Sequence, residues 1–250
     1  MEIISLVNQK GGTGKTTACI NLAAGLASAG HKTLLIDLDP QANTTLSMGI
    51  DLDSLKTSVY EVLLGETPLD EVFQKNSNGV IIAPAGAELT NAVISLEGHQ
   101  DRLRKILKEH KAKFDYILID CPPALNLLTI NALVASDCVI SPMLCDYLSI
   151  EGLKQLMRTV GRIKKDFNSK LRVLGILLNM VDHRRNLTDE VLKLVHKQFK
   201  GLVFKAEIPV CVALAEAASF GKDIFSYARH SMGAEAYEKL CKEILRRTGH

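Results

Sequence analysis

Six short runs of apolar residues recur along the chain and alternate with stretches of helical period. The runs lie near residues 2 to 8, 33 to 38, 79 to 83, 115 to 120, 138 to 142 and 172 to 178. Their continuous apolar character is typical of strands buried on both faces, and the intervening segments are long enough for crossover helices. The pattern therefore predicts an α/β fold with a mostly parallel, twisted sheet and helices on both faces.

The first predicted strand leads into a glycine-rich stretch, Asn8 to Thr17, which precedes a helical pattern from Ala18 to Ala29. A strand, a glycine-rich turn and a helix N-terminus form an anion site, because backbone N–H groups and the helix dipole point at one place. The stretch has the residue types of a P-loop: glycines for close backbone approach, a lysine for the β- and γ-phosphates and a hydroxyl for Mg²⁺. The predicted nucleotide-binding residues are Gly11, Gly12, Thr13, Gly14, Lys15, Thr16 and Thr17.

Three aspartates stand at the ends of two later runs, where ligands of open α/β sheets bind. Asp37 and Asp39 are two residues apart, so alternation puts their carboxylates on the same face. A cap on the next helix would explain one of them, but less easily both. Asp120 ends the run that begins at Tyr116, which is typical of a Walker B strand, whose aspartate holds Mg²⁺ beside the P-loop hydroxyl. The predicted Mg²⁺ residues are Thr16, Asp37 and Asp120.

Length and composition narrow the class of protein. At 250 residues, with 47% hydrophobic and 23% charged residues, the chain is typical of a soluble globular protein, and we expect a single domain over residues 1–250. No apolar run approaches the roughly 20 residues of a membrane span, and the N-terminus has no signal-peptide pattern, so we expect a cytoplasmic location. The six cysteines lack metal-ligand spacing, which favours core positions over disulfides or a metal site.

Charge is unevenly distributed along the chain. Residues 1–150 carry 11 Lys and Arg against 17 Asp and Glu, whereas residues 151–250 carry 19 against 11. In the helical pattern from Ile150 to Phe167, the apolar residues up to Phe167 are predicted to face inward. Four basic residues share the outer face, namely Lys154, Arg158, Arg162 and Lys165. A solvated helix face is the default interpretation, and a stripe that follows the phosphates of a polyanion is the alternative.

The glycine-rich stretch resembles the deviant Walker A box of the ParA/MinD family of P-loop ATPases, Lys-Gly-Gly-x-Gly-Lys-Thr-Thr. An ordinary P-loop has a glycine where this chain has Gln9, and the additional lysine of the family corresponds to Lys10. The resemblance extends over nearly the whole chain and is greatest to chromosomal ParA (Soj-like) proteins. It implies that the cofactors are ATP and Mg²⁺.

The resemblance also implies roles for individual residues. Lys10 crosses a dimer interface to the partner's nucleotide, Lys15 holds the phosphates, and Asp39 positions the attacking water. Asp146 touches the ribose or the partner's Lys10, although an N-cap of the following helix explains this aspartate equally well. Further along the chain, two positions concern adenine. Asn179 is a candidate on chemical grounds, because its carboxamide can match the paired donor and acceptor edge of the base. By the resemblance, Pro209 lies in a loop that packs against adenine.

The basic half of the chain contains the candidate DNA contacts. Arg184 matches a family arginine implicated in non-specific DNA binding. The chain departs from the family at Val210 and Ala213, where the family pattern has arginines. DNA binding would therefore rest on the remaining basic positions, which are Arg184, Arg185, Arg158 and Arg162.

Taken as a whole, the resemblance implies an ATP-dependent homodimer on the nucleoid that acts in chromosome or plasmid partitioning. It binds non-specific DNA and is released by slow hydrolysis, which a ParB-like protein stimulates. A MinD-like membrane switch would need an amphipathic tail after the final helix, near residues 234–247, and no such tail follows, so we expect no membrane partner. An ATPase that positions a protein cargo has the same nucleotide residues, and the sequence leaves this alternative open.

Overall fold

A parallel sheet runs through the centre of the molecule. The computed structural model describes residues 1–75, 79–110 and 112–249. The strands in these ranges are β1 Glu2–Leu6, β2 Thr33–Asp37, β3 Gln74–Lys75, β4 Ile81–Ala83, β5 Tyr116–Asp120, β6 Cys138–Leu144 and β7 Arg172–Asn179. They lie in the order β3-β4-β2-β5-β1-β6-β7. All neighbours are parallel except β3 and β4, which pair antiparallel at one edge.

Helices connect the strands and cover both faces of the sheet. In chain order they are α1 Lys15–Ser28, α2 Asn43–Ser47, α3 Val59–Leu64, α4 Ala92–Ser95, α5 Arg102–Lys108, α6 Leu127–Ala135, α7 Tyr147–Asp166, α8 Asn186–Gln198, α9 Val212–Ser219, α10 Ile224–Tyr227 and α11 Met232–Thr248. Short 3-10 helices cover Leu52–Ser54, Leu69–Val72 and Ala87–Thr90.

Two hydrophobic cores lie on opposite faces of the sheet, because successive strand residues point to opposite faces and both sets are apolar. In β1, Ile3 belongs to the core under α3 and α5 to α8, whereas Ile4 and Leu6 belong to the core under α1 and α9 to α11. The predicted fold class, a mostly parallel sheet covered on both faces, is confirmed. This topology places β1 inside the sheet, between β5 and β6. The glycine-rich loop that follows β1 therefore lies at the carboxyl ends of the strands, away from the two edge strands.

The structure corrects the sequence prediction in places where the local pattern is short. The edge strand β3 was not predicted, because two exposed polar residues carry no hydrophobic period. Phe167, predicted to face inward, is 44% exposed, because it lies at the C-cap of α7 with φ −131° and leaves the helical path. The six cysteines are all free, and four of them are buried. No helix in the described ranges is both long and apolar enough to span a bilayer.

The buried hydroxyl of Tyr237 is a site where a substitution should increase stability. Its side chain is fully buried, and within the described ranges no residue hydrogen-bonds to the hydroxyl. Because an unpaired buried hydroxyl costs desolvation free energy, we expect Tyr237→Phe to raise the free energy of unfolding by about 1 kcal/mol. Urea denaturation measures this change. Tyr116→Phe is the matched control and should destabilise, because the Tyr116 hydroxyl hydrogen-bonds to Thr248 at 2.8 Å; an unchanged midpoint for Tyr237→Phe would contradict the prediction.

Candidate nucleotide-binding site

The loop between β1 and α1 has the backbone conformation of an anion site. Gly12 and Gly14 have φ values of 72° and 81° in the left-handed region, which glycine adopts without the steric cost of a side chain. A Cβ atom on Gly14 would also overlap Nδ2 of Asn179. Helix α1 begins at Lys15, and no side chain in the described part of the chain caps it. The N–H groups of its first turn, including those of Thr16 and Thr17, are therefore available to an anion.

Two asparagines from strand ends hold this loop in place. Asn8 donates from Nδ2 to the carbonyl of Pro142 at 2.6 Å and accepts the backbone N–H of Lys10 at 2.9 Å. On the other side, Asn179 donates from Nδ2 to the carbonyl of Thr13 at 2.7 Å. The loop is therefore fixed to β6 and β7, and its exposed glycines, Gly11 and Gly12, lie between these attachments.

Lys15 is only 7% exposed, and it makes no ion pair or hydrogen bond with any residue in the described ranges. A buried ammonium is almost always paired. Its position at the start of α1, above the uncapped first turn, therefore calls for an anionic ligand.

Asp120 connects the P-loop with the end of β5. Its Oδ2 accepts hydrogen bonds from the hydroxyls of Thr16 and Thr44, each at 2.7 Å. Its Oδ1 is buried and, within the described ranges, has no hydrogen-bond partner. Burial raises the pKa of Asp120, and the two threonine hydroxyls oppose that effect. An unpaired buried carboxylate oxygen next to a P-loop hydroxyl suits a hydrated divalent cation.

Asp37 lies beside Asp120 as its register partner on β2. Its Oδ2 accepts both the N–H and the hydroxyl of Thr45, at 2.9 and 2.7 Å, and its Oδ1 accepts the N–H of Asp39 at 3.1 Å. Burial, followed by the nearby Asp120 carboxylate, raises the pKa of Asp37. Both oxygens thus hydrogen-bond within the chain, and the Mg²⁺ role of Asp37 stays a prediction.

Asp39 stands at the start of the loop that leads from β2 into α2. It is buried, and its Oδ1 accepts the N–H of Gln41 at 3.0 Å. No residue in the described ranges donates a hydrogen bond to its Oδ2. This arrangement fixes the carboxylate and leaves one oxygen able to accept a proton from a water.

Lys10 lies at the rim of the site, with its side chain 37% exposed. Its Nζ is 2.7 Å from Oδ2 of Asp146, whose Oδ1 accepts the N–H of Ser149 at the N-cap of α7. Asp146 therefore caps α7, which is one of the roles considered for it from the sequence. It also forms an ion pair with Lys10 of the same chain. The ion pair and the cap hydrogen bond both lower the pKa of Asp146, against the effect of burial.

The two predicted adenine residues, Asn179 and Pro209, belong to β7 and to the segment that pairs with the chain just after it. Pro209 forms a parallel bridge with Val181, and the N–H of Val181 donates to the carbonyl of Ile208 at 2.9 Å. The Asn179 carboxamide is used within the chain, since its Oδ1 accepts the N–H of Met180 in addition to the bond from Nδ2 to Thr13. Recognition of the base by Asn179 and Pro209 stays a prediction.

Comparisons with known proteins agree with this geometry. A family model described as an AAA domain matches residues 1–173. The chromosome partitioning protein ParA of Myxococcus xanthus is 44% identical over 250 residues, which cover 98% of this chain and 88% of that protein. The sporulation initiation inhibitor protein Soj of Bacillus subtilis is 43% identical over 247 residues, which cover 97% and 98%. The chain belongs to the ParA/MinD family of P-loop ATPases.

A solved structure of a similar protein contains the expected ligands. Cobyrinic acid a,c-diamide synthase from Mycobacterium smegmatis, with bound ATP analogue and magnesium, superposes with a TM-score of 0.88 at 32% identity and covers 100% of this chain and 96% of that one. The residues of the present chain fit the same ligands, because Lys15 and the uncapped helix need an anion and Asp120 Oδ1 needs a cation or its water. ATP and Mg²⁺ are the cofactors of this ParA/MinD-family chain.

Within the described ranges, no group of three or more His, Cys, Asp or Glu residues could hold a metal ion without help.

The basic residues predicted to contact DNA belong to two segments of the chain, the entry to α8 and helix α7. Arg184 and Arg185 precede α8, and both side chains are mostly exposed and lie near Asp182. Arg158 and Arg162, on α7, line a cavity of about 410 Å³ with Leu125.

Sequence reasoning missed three polar residues of this ParA/MinD-family site. Asn8 follows β1 directly, and a polar residue at a strand end was the available signal for it. Thr44 and Thr45 are fully buried, but two threonines after a loop carry no recognisable spacing. Their importance depends on which carboxylate each hydroxyl reaches in the folded chain.

Proposed function

We propose that this chain is an ATP-dependent dimerising switch that acts in chromosome or plasmid partitioning. The ATP-bound dimer binds DNA non-specifically, and slow hydrolysis, stimulated by a ParB-like partner, releases it. The protein then works in the cytoplasm, associated with the nucleoid. The observation that carries the proposal is a nucleotide site with a second lysine at its rim, in a chain 44% identical to a protein named for chromosome partitioning.

In this proposal each catalytic residue has one task. Lys15 and the first N–H groups of α1 hold the phosphates, Thr16 and Asp120 hold the cation, and Asp39 orients the attacking water. Lys10 from the second subunit neutralises the charge that develops as the γ-phosphoryl group transfers. When bound, Mg²⁺ would neutralise part of the phosphate charge.

Exposed apolar side chains around the site support a dimer that forms over the nucleotide. They follow the carboxyl ends of β5, β6 and β7, at the same edge as the P-loop, and comprise Leu125, Tyr147, Leu148, Met180 and Leu187. Leu148 is 76% exposed. Apolar surface of this kind marks an interaction site. An isologous interface here would bring Lys10 of each subunit to the site of the other.

The charge distribution supports DNA as the polyanion. Each subunit contributes the basic half of the chain, so dimerisation doubles the number of basic surfaces and raises affinity by avidity. A membrane switch and a cargo-positioning ATPase are the competing functions. Retention of the purified protein on non-specific DNA, in parallel with anionic liposomes, separates the three. The proposal expects retention on DNA only, with ATP and Mg²⁺; retention on liposomes, or on neither, would contradict it.

The carboxylate of Asp182 is paired with two of the arginines predicted to contact DNA. Its carboxylate accepts hydrogen bonds from Nε and Nη2 of Arg184, at 2.8 and 2.9 Å. Its Oδ2 also lies 3.5 Å from Nε of Arg185. We expect Asp182→Asn to strengthen DNA retention, because it frees both guanidinium groups for phosphates. Arg184→Glu should weaken retention about tenfold and reduce its salt dependence.

Filter binding at several salt concentrations measures both effects. Asp53→Asn removes the same charge from an exposed position in the acidic half of the chain and is the matched control. Retention that is equal for the natural chain and Arg184→Glu at every salt concentration would count against this surface, and basal ATPase activity should not change in either variant.

A further inference from the structure

We propose that Thr44 is a positioning residue of the nucleotide site. Its hydroxyl fixes the orientation of the Asp120 carboxylate, so that Oδ1 faces the hydrated Mg²⁺, and it ties this carboxylate to the loop that carries Asp39. The inference rests on the proposed use of Asp120 toward Mg²⁺. It is independent of the DNA and partitioning parts of the proposed function.

The two oxygens of Asp120 have very different surroundings. Oδ2 accepts two hydroxyl protons, from Thr16 and Thr44, each at 2.7 Å. Oδ1 is buried and unpaired within the described ranges. Rotation about the terminal bond of an aspartate is soft and exchanges its two oxygens. Donors on a single oxygen remove that freedom and reserve Oδ1 for the cation's water.

The two hydroxyls are not equivalent. Thr16 belongs to the P-loop, where its oxygen is needed as a Mg²⁺ ligand, so its orientation must suit the cation. Thr44 is fully buried and comes from a different segment, and its hydroxyl has no second partner in the described ranges. Thr44 therefore can hold Oδ2 whether or not the cation is bound.

Thr44 reaches Asp120 because the chain turns sharply after Asp39. The N–H of Ala42 donates to the carbonyl of Asp39 at 2.8 Å. Ala42 itself is in the left-handed region, with φ 52°, and α2 begins at the next residue. The first turn of α2 thus directs Thr44 into the sheet edge from the end of the Asp39 loop.

Thr45 anchors the same turn to the neighbouring carboxylate. It donates its N–H and its hydroxyl to Asp37, and its hydroxyl oxygen accepts the N–H of Ala85 at 3.0 Å. Adjacent threonines therefore bind the adjacent carboxylates of β2 and β5. The position of Asp39 is thereby coupled to the carboxylate that faces Mg²⁺.

The test measures Mg²⁺ affinity without hydrolysis. A fluorescent non-hydrolysable ATP analogue is bound to the purified protein, and MgCl₂ is titrated in. Thr44→Val keeps the shape and removes the hydroxyl, and we expect it to raise the Mg²⁺ concentration at half-saturation about tenfold, as for other residues that orient metal ligands. Thr44→Ser keeps the hydroxyl and should stay within about twofold of the natural chain.

Controls distinguish this inference from the function on which it rests. Thr33→Val removes another buried hydroxyl, from the opposite end of β2, and should leave the titration unchanged. Asp120→Asn should abolish the saturable response of the bound analogue to MgCl₂. If Asp120→Asn has no effect, the proposed Mg²⁺ role of Asp120 fails; if it acts but Thr44→Val does not, only the role of Thr44 is overturned.

A second pair of variants covers the case in which valine prevents folding. Thr44→Ala and Thr44→Ser differ by the hydroxyl oxygen alone, and thermal denaturation shows whether both fold. Weaker Mg²⁺ binding by alanine than by serine supports the inference. Equal Mg²⁺ binding by the two variants overturns it.

Discussion

An Asp39→Ala variant is expected to bind ATP, to accumulate as an ATP-bound dimer and to hydrolyse ATP at least about a hundredfold more slowly than the natural chain. The P-loop, Lys15 and the Thr16–Asp120 pair do not depend on the Asp39 side chain, so nucleotide binding should persist. The carboxylate is buried and held by the Gln41 N–H, which makes it suited to orient a water. Light scattering measures the dimer, and phosphate release measures hydrolysis.

Asp39→Asn is the matched variant, because it can keep the bond from Gln41 while losing the charge. Asp39→Asn should slow hydrolysis nearly as much as Asp39→Ala, since the negatively charged carboxylate orients the water and accepts its proton. Only monomer in the presence of ATP, or undiminished phosphate release, would refute the role of Asp39.

Loss of Lys10 should have an effect of similar size through the other subunit. We expect Lys10→Ala to lose about a hundredfold to a thousandfold in hydrolysis, because a charge that stabilises the transition state is removed. ATP-dependent dimerisation should also be lost, whereas some nucleotide binding is kept through Lys15. Titration with a fluorescent ATP analogue, together with phosphate release, measures the two effects separately.

The ion pair between Lys10 and Asp146 requires its own control. Asp146→Asn breaks the pair and keeps the N-cap of α7, because asparagine caps a helix as well as aspartate. If Lys10 acted only through this pair, the two variants would behave alike. The proposed role in the second subunit expects Asp146→Asn to retain much more activity than Lys10→Ala.

Mixing two inactive variants tests whether Lys10 acts across the interface. In a heterodimer of Lys10→Ala and Asp39→Ala, the first subunit keeps Asp39 and receives Lys10 from its partner, so one of two sites is complete. An equal mixture, combined before ATP is added, should hydrolyse ATP faster than the two variants measured separately, because only the heterodimer contains a complete site. If Lys10 acts within its own subunit, no site is complete, and the mixture should stay inactive.

Much of the fold and part of the site could be predicted because the signals are local. Gly12, Gly14 and Lys15 lie within a few residues, between a strand and a helix, so their spacing alone indicates a phosphate loop. Asp39 and Asp120 end or follow buried apolar runs. The carboxyl ends of parallel strands meet at one edge, so these residues were expected together.

Other parts of the site could not be predicted, because they depend on side chains that meet across the fold. Lys10 and Asp146 are 136 residues apart in sequence, and only the position of α7 brings them to 2.7 Å. The pairing of Arg184 with Asp182 is local, but it depends on how the turn after β7 directs the carboxylate.

Short segments of the sequence are enough to predict a mostly parallel α/β sheet with a phosphate loop after its first strand. They suffice because hydrophobic period, glycine conformation and residue spacing are local properties. Which hydroxyl reaches which carboxylate is known only from the folded chain. Thr44 donates to Asp120 and Thr45 to Asp37, because the left-handed Ala42 turns the chain back toward the sheet edge. This pairing depends on the path of the backbone through the whole loop, which cannot be predicted from the hydrophobic pattern.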